Sequence, residues 1–162
     1  RWLDEQRQAG KLALPAGTPG NYVLRLPTEA EWEKAAHYPD GRQFPWGNEY
    51  ITGSANVDEV RSEIGPNNLQ RTTAVGIYPQ GANPATGAFD VSGNVWEWCL
   101  SRWNANYRFP EENDPDGDAA RVLRGGAWYD DIHYARCASR VGDGPLYRLN
   151  VRGFRLVCAC PL

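Results

Sequence analysis

The stretch that decides the fold runs from Arg121 to Cys158 and reads RVLRGGAWYDDIHYARCASRVGDGPLYRLNVRGFRLVC. It contains three islands of framework-like sequence, RVLRGGAW, RCASR and RGFRLVC, separated by four intervals. The intervals mix aromatics, acids, aliphatics and glycine with neither helical nor strand period, which favours loops. A fixed frame that presents chemically mixed loops is typical of a binding surface. The candidate ligand-binding residues in the intervals are Tyr129, Asp130, Asp131, Ile132, His133, Tyr134, Val141, Gly142, Asp143, Gly144, Leu146, Tyr147, Leu149, Asn150 and Val151.

The composition is that of a folded globular domain. The 162 residues are 41% hydrophobic, include seven Trp and carry a formal net charge of −3. A chain of this length forms one domain with a substantial core. The mild acidity lacks the basic footprint of a nucleic-acid binder, and no apolar run is long enough to span a membrane. We therefore expect a single domain over residues 1–162, with neither nucleic acid nor a membrane span.

The ends of the chain and its cysteines add two expectations. The sequence opens at Arg1 without a methionine and shows no secretory signal, so we expect a fragment that lacks its N-terminal portion. Four cysteines are too few for a disulfide scaffold. Cys158 and Cys160 alternate along a predicted strand and point to opposite faces, which disfavours a bond between them.

Local signals predict a few regular elements before Arg121. Arg1–Gly10 is typical of the end of an amphipathic helix, with Gly10 as its stop. Thr28 and Glu31 match a capping box, which predicts a helix of about two turns that ends before Pro39. Strands are predicted at Tyr22–Leu26, Ala74–Tyr78 and Val95–Leu100.

Glu97 lies on the core side of the Val95–Leu100 strand, where a carboxylate is costly unless it is paired or bound to a metal. Asp90 and the carbonyl groups of the turn at Gly93 would supply the hard oxygen ligands that calcium prefers. An ion pair between Glu97 and a buried arginine explains the same carboxylate equally well. Calcium and arginine are thus two open interpretations of this residue.

Six motifs follow one another over nearly the whole chain. They are RLPTEAEWEKAA (Arg25–Ala36), FPWGN (Phe44–Asn48), FDVSGNVWEW (Phe89–Trp98), RVLRGGAW (Arg121–Trp128), RCASR (Arg136–Arg140) and GFRLVCA (Gly153–Ala159). Together they resemble the formylglycine-generating-enzyme family, also called the sulfatase-modifying-factor family. The resemblance implies a C-type-lectin-like fold of the α+β class, rich in loops and with short antiparallel strands. It also implies that a further N-terminal portion precedes Arg1.

The resemblance implies two structural calcium sites as well. The first maps to Asp90, Gly93, Val95 and Glu97, and the second to Asn56, Val57, Asn67 and Leu69. The second is the weaker of the two, because Asn67 stands where an acidic residue is usual.

Enzymatic members of this family oxidise a substrate cysteine by means of two cysteines that bind copper. Those cysteines lie between the RGG and RCA motifs, where this chain has Tyr129–Tyr134 and no thiol. Soft Cu(I) requires thiolates, which Asp and Tyr cannot replace. A second enzymatic branch, the sulfoxide synthases of the ergothioneine pathway, takes its iron ligands from a helical domain that this sequence does not contain. We therefore expect no copper and no catalysis.

The four intervals also resemble the variable region of target proteins of diversity-generating retroelements. In such regions AAC codons are randomised at adenines, which gives every residue of the intervals but never Lys, Glu, Gln, Met or Trp. From Arg121 to Leu162 there is no Lys, Glu, Gln or Met, and Trp128 belongs to a framework motif. Tyr-rich loops with Asp, Gly and Asn also suit antibody-like recognition.

The sequence thus predicts a domain that displays hypervariable residues to a protein or other macromolecular ligand. Two alternatives stay open: an inactive family member with ordinary loops, and an enzyme with an altered active site.

Overall fold

The structure is a computed structural model that describes residues 2–107 and 110–162. Within these residues the regular elements are two helices, six short strands and a 3₁₀ turn at Pro79–Gly81. The helices are α1 (Trp2–Gln8) and α2 (Glu29–His37), and the strands are β1 (Val23–Arg25), β2 (Trp96–Arg102), β3 (Arg121–Arg124), β4 (Arg140–Asp143), β5 (Arg152–Gly153) and β6 (Val157–Ala159). The α+β class and the loop-rich character agree with the sequence.

The strands form two sheets. β1 and β6 make an antiparallel pair in which Leu24 is opposite Cys158. A strand near the start of the chain is thus hydrogen-bonded to one near its end. The main sheet has the order β4-β3-β2-β5. β3 is antiparallel to both β2 and β4, whereas β5 is parallel to β2. β4 and β5 are the two edge strands, so the segment between them must cross from one edge of the sheet to the other.

Helix α2 begins as the capping box predicts. Thr28 Oγ1 accepts a hydrogen bond from the Glu31 amide at 3.2 Å, and the Glu31 carboxylate accepts one from the Thr28 amide at 2.8 Å. The helix ends at His37, two residues before Pro39. Its buried residues Glu29, Trp32 and Ala36 recur at helical spacing and turn one face towards the main sheet.

The main sheet is covered on both faces, because alternate residues of its strands enter different core clusters. On the face that meets α2, here called the helix face, the cluster contains Trp32, Ala36, Val91, Cys99, Val122 and Cys137. On the opposite face, here called the loop face, it contains Trp96, Leu123, Ala127 and Val151. Cross-strand partners share a face, as the pairs Trp98–Leu123 and Leu123–Val141 show.

Arg124 ties the elements of the helix face together. Its side chain is fully buried and donates to the backbone carbonyl oxygens of residues 137–139 at 3.0–3.1 Å. The guanidinium also forms ion pairs with Glu29 and Glu33 of α2 and lies 5.2 Å from the Trp32 ring. One residue of β3 therefore fixes both α2 and the RCASR segment.

Two local predictions are wrong. Ala74–Tyr78 is not a strand but a turn, in which Gly76 has a φ of 82° and donates to the Asp90 carboxylate at 2.7 Å. Conversely, Val141–Asp143, which was predicted as loop, belongs to strand β4. The antiparallel edge of β3 imposes extended structure there, and three residues are too few to show a period.

Arg124→Lys should lower the free energy of unfolding by about 3 kcal/mol, because one ammonium group cannot replace the fork of charge-assisted hydrogen bonds. Urea unfolding followed by circular dichroism measures this loss. The matched control is Arg148→Lys, which changes an exposed residue and should be neutral. Equal effects of the two substitutions would contradict the role assigned to Arg124.

Candidate ligand-binding surface

Three tryptophans form a floor on the loop face of the sheet. Trp96 and Trp98 lie on the same side of β2, and Trp128 follows β3 and packs against the same cluster. Trp96 is buried, whereas the other two are half-buried. This tryptophan floor is the support on which the loops between the framework motifs rest.

The first interval contacts the floor through two tyrosines. The ring of Tyr129 meets that of Trp128 edge-on, with centroids 5.6 Å apart, and Tyr134 meets Trp96 in the same way at 6.1 Å. Edge-to-face contacts of this kind stabilise an aromatic ring while leaving much of its surface free. Both tyrosines remain exposed, at 41% and 45%.

The later intervals reach the same floor. Val141 and Val151 pack into its cluster. Arg152 stacks between Trp98 and Tyr147, at 5.6 and 5.8 Å from the ring centres, and forms an ion pair with Asp143. The tertiary structure thus gathers intervals that are separate in the sequence onto one face.

Most interval residues on this face are accessible. Leu146, Tyr147 and Leu149 are 81%, 62% and 51% exposed, which is unusual for large apolar side chains in one short segment. We call the accessible set the display surface. It consists of Tyr129, Asp131, His133, Tyr134, Asp143, Gly144, Leu146, Tyr147, Leu149 and Asn150. Ile132 is half-buried against the cluster of Ala55, Val57 and Ala135 and does not belong to the display surface.

Asp130 and Val151 are buried instead, so neither side chain is available to a ligand. A single carboxylate oxygen of Asp130 accepts from Trp96 Nε1 at 2.7 Å and from the Ala127 amide at 3.0 Å, which fixes the start of the first interval. Burial raises the pKa of this carboxyl group. The Val151 carbonyl oxygen accepts from the Trp96 amide at 2.8 Å. Both residues support the surface from below.

Two further interval residues also lie away from the display surface. Val141 is half-buried in the cluster of the tryptophan floor. Gly142 lies on the helix face of β4, beneath Trp103. The interval Val141–Gly144 therefore alternates between the two faces of the sheet, because it belongs to a strand.

Three residues of the first predicted calcium set already use oxygens in hydrogen bonds within the protein. The Glu97 carboxylate accepts from Arg155 Nη2 and from Trp32 Nε1, each at 2.7 Å, so its charge is compensated and both its oxygens are used. Arg155 also donates to the Phe89 carbonyl oxygen at 3.0 Å. Asp90 is occupied by the Gly76 amide, and the Gly93 carbonyl oxygen accepts from Val95. Of the two interpretations of Glu97, the structure shows the arginine pair.

The second set retains one feature of a cation site. Asn56 Oδ1 is buried without a hydrogen-bond partner, while the amide nitrogen of the same side chain donates to Arg71 O and Asn94 Oδ1. The Asn67 amide donates to Glu59 at 2.9 Å. Among residues 2–107 and 110–162, no group of three or more His, Cys, Asp or Glu side chains could hold a metal ion. A cation at this set would therefore depend on amide and carbonyl oxygens.

Two of the four cysteine thiols are poorly suited to chemistry. Cys99 and Cys137 are buried, and burial raises the pKa of both, in the case of Cys137 to about 12. A thiol with a raised pKa and no access to solvent neither binds copper as a thiolate nor acts as a nucleophile at neutral pH.

In the described part of the chain, no helix is long and apolar enough to cross a membrane.

Comparison with known proteins identifies the family. The model of the sulfatase-modifying factor enzyme 1-like domain matches residues 1–160. The fold is that of this C-type-lectin-like class, loop-rich with short strands. The chain belongs to the sulfatase-modifying-factor family, as its six motifs indicate.

Relatives at similar distance differ in activity. The chain is 34% identical to the inactive C-alpha-formylglycine-generating enzyme 2 of Mus musculus, over 81% of this chain and 42% of the relative. It is 37% identical to the hercynine oxygenase of Mycobacterium tuberculosis, over 82% of this chain and 32% of that enzyme. The chain therefore spans less than half the length of these relatives, and its family includes both enzymes and inactive members.

Two solved structures share the fold. Treponema denticola variable protein 1 superposes with a TM-score of 0.63 at 32% identity, covering 84% of this chain and 48% of that one. PvdO from Pseudomonas aeruginosa gives a TM-score of 0.70 at 26% identity, covering 96% of this chain and 56% of that one.

Sequence reasoning missed the residues that support the surface. Trp98 and Arg152 belong to framework motifs, and only the fold shows that they contact the intervals. The alternation of Trp96 and Trp98 along one strand was the available signal, because it places both rings on one face.

The burial of Asp130 has a consequence for pH dependence. Because the folded state raises the pKa of this carboxyl group above the ordinary 3.8, the native protein keeps its proton over a pH range in which the unfolded chain has lost it. The contribution of Asp130 to stability should therefore fall as pH rises from about 3.8 through the folded-state pKa.

Asp130→Asn should remove this slope and keep the neutral-pH stability within about 1 kcal/mol, because the amide oxygen can accept both hydrogen bonds. Urea unfolding across the acidic range measures the slope. Asp118→Asn, which changes an exposed carboxylate outside the intervals, is the matched control and leaves the surroundings of Asp130 unchanged. An unchanged slope in Asp130→Asn would contradict the prediction.

Proposed function

We propose that this domain is non-catalytic and binds a protein or other macromolecular ligand through the display surface. The observation that carries the proposal is the convergence of the intervals on the tryptophan floor. Large side chains of these intervals point to solvent although the segments are rigidly seated. Exposed tyrosine and leucine on a fixed backbone provide apolar contact area at a low entropic cost of binding.

The backbone of the first interval is held by groups outside it. The Asp130 carbonyl oxygen accepts from the Asp58 amide at 2.9 Å, and the Ile132 amide donates to Ser62 Oγ at 3.1 Å. The His133 carbonyl oxygen accepts from Arg136 Nε and Ser139 Oγ. None of these bonds uses a side chain of the display surface. Within the interval, the Asp131 carboxylate accepts from the His133 amide at 2.8 Å. Outward side chains other than that of Asp131 can therefore change without loss of these bonds.

The same independence is what retroelement diversification requires. Codon randomisation is tolerated at the exposed positions of the intervals, where the fold does not depend on the residue produced; the buried Asp130 and Val151 are exceptions. The similarity to Treponema denticola variable protein 1 supports this part of the proposal, as does the absence of Lys, Glu, Gln and Met after Arg121.

The enzyme alternative has less support. The positions between the RGG and RCA motifs hold no thiol, and Asp130, in their midst, is engaged with Trp96. Cys137 is buried with a raised pKa. Of two relatives in Mus musculus, one is named an inactive enzyme and the other a formylglycine-generating enzyme, so the relatives favour neither reading.

A genomic observation tests the diversification. We expect a nearby template repeat that matches the codons of Arg121–Cys158 except at adenines, with a reverse-transcriptase gene beside it. Sibling copies of the gene should differ at codons of the intervals. Siblings that instead carry Lys, Glu or Gln at these positions would contradict the proposal.

The tolerance of the frame gives a stability prediction. Simultaneous replacement of Leu146, Tyr147 and Leu149 by Asn should change the melting temperature by less than about 4 °C, because all three are exposed. The single change Val151→Asn should cost more, because it places an amide in the cluster of the tryptophan floor. Differential scanning calorimetry compares the two variants. A triple variant that melts below Val151→Asn would show that the frame depends on the displayed residues.

Binding itself is tested with two surface-displayed libraries, each selected against purified lysozyme as a model protein. The first library varies Tyr129, Tyr134, Leu146, Tyr147 and Leu149. The control varies an equal number of exposed positions outside the intervals: Val60, Arg61, Val75, Ile77 and Gln80. We expect binders from the first library at a frequency at least tenfold above the control. Equal yields, or none from the first library, would contradict a binding role for the display surface.

We also propose that calcium binds at the second set, where the unpaired Asn56 Oδ1 supports a cation. Addition of calcium should raise the melting temperature and chelation should lower it, because a ligand of the native state stabilises that state. Asn67→Asp sharpens the test. It places a carboxylate beside Glu59, which should destabilise the protein without calcium and increase its stabilisation by calcium. No calcium dependence in either protein would contradict the site.

A further inference from the structure

Gly142 occupies a position with no room for a side chain. It lies in β4, the edge strand of the main sheet, and faces the helix face. A Cβ atom at this residue would lie 2.2 Å from Cγ and 2.3 Å from Cδ2 of Trp103. These atoms belong to the base of the indole and not to a flexible end. Any residue other than glycine therefore requires the whole ring to move.

Trp103 in turn covers an ion pair. The guanidinium of Arg140 lies 4.2 Å from the Trp103 ring and 4.8 Å from that of Tyr107. The same guanidinium donates to the buried carboxylate of Glu29 through Nε at 2.6 Å and Nη2 at 2.9 Å. Arg140 and Gly142 are two residues apart on one face of β4, so the indole lies across both.

A small cavity adjoins this arrangement. It has a volume of about 140 Å³, and its lining includes Glu29, Ser101, Trp103, Asn104 and Arg140. Trp103 forms part of its wall, so movement of the ring changes the shape of the cavity. Residues 104–107 beside it are exposed.

We propose that residue 142 is a specificity-determining position that acts through Trp103. With glycine, the indole stays over Arg140 and the recognition surface is confined to the loop face. With any larger residue, the indole leaves this position, and Trp103 and Asn104 become part of the contact surface at the edge of β4. The inference rests on the proposed function, because a specificity-determining position presupposes that the domain binds a ligand.

Through this mechanism, variation within one interval changes two different surfaces. Asp143 faces the display surface and pairs with Arg152, so variation at this position changes the loop face directly. Variation at residue 142 changes the opposite side of the same edge strand by moving a framework tryptophan. A diversified strand can thereby alter a surface that its own side chains do not form.

A double-mutant cycle tests the coupling. Gly142→Ala adds only the Cβ atom and should lower the melting temperature by about 3–10 °C, as overpacking does. Gly20→Ala is the matched control, because a Cβ atom there meets nothing within 4 Å. In a Trp103→Ala background the effect of Gly142→Ala should disappear, since the clashing ring is gone. An equal loss in both backgrounds would overturn the proposal.

Fluorine NMR of protein labelled with 5-fluorotryptophan reports the ring position. The Trp103 resonance, assigned through Trp103→Phe, should shift in Gly142→Ala and in Gly142→Asn but not in Gly20→Ala. An unmoved resonance would overturn the proposal even if stability falls. If Gly142→Asn does not fold, Gly142→Ala still carries both measurements.

Neither measurement requires a ligand, so the coupling and the proposed binding function can fail separately. A positive cycle without binders from the libraries would retain the Trp103 mechanism and reject the binding role. If the libraries yield binders but the effects of the two substitutions are additive, the binding role is supported and the Trp103 mechanism is rejected.

Discussion

The structure depends on the burial of one guanidinium group. Arg124 is inaccessible to solvent, yet its charge is balanced by two glutamates of α2 and its donors reach three successive backbone carbonyl groups. A buried charge is tolerated only with such compensation, so the groups around it are held at fixed positions. They include residues 137–139, which follow the first interval. The end of that loop is therefore fixed although the loop itself is irregular.

The two faces of the main sheet have separate tasks. The helix face carries the ion pairs of Arg124 and Arg140 with α2, which hold the helix against the sheet. The loop face carries the tryptophan floor, above which tyrosines and leucines are exposed and take no part in these ion pairs. The family's oxidase chemistry needs thiols in this region, and the chain has tyrosines and acids there instead. A scaffold that positions catalytic groups can equally position a contact surface, because both tasks need rigid loop backbones.

Prediction from sequence succeeded where the physical cause is local. The capping box of Thr28 and Glu31 involves residues three apart, so the start of α2 could be read directly. The cost of burying Glu97 was evident from strand alternation, but its partner is 58 residues away in Arg155. The strand at Val141–Asp143 and the turn at Ala74–Tyr78 were misassigned, because a neighbouring edge and a glycine of positive φ decided them. Among the interval residues, Asp130 and Val151 looked no different from their exposed neighbours, although both are buried.

The sequence by itself determined the family, the α+β class and the absence of a cysteine pair between the RGG and RCA motifs. These properties follow from residue identity and from short-range order along the chain. Only the tertiary structure decided which interval residues are displayed, because exposure depends on contacts with residues far away in the chain. It left Tyr147 exposed and buried Asp130, whose carboxylate accepts from Trp96. It also decided which arginine pairs with Glu97, since β5 and the segment after it bring Arg155 to that carboxylate.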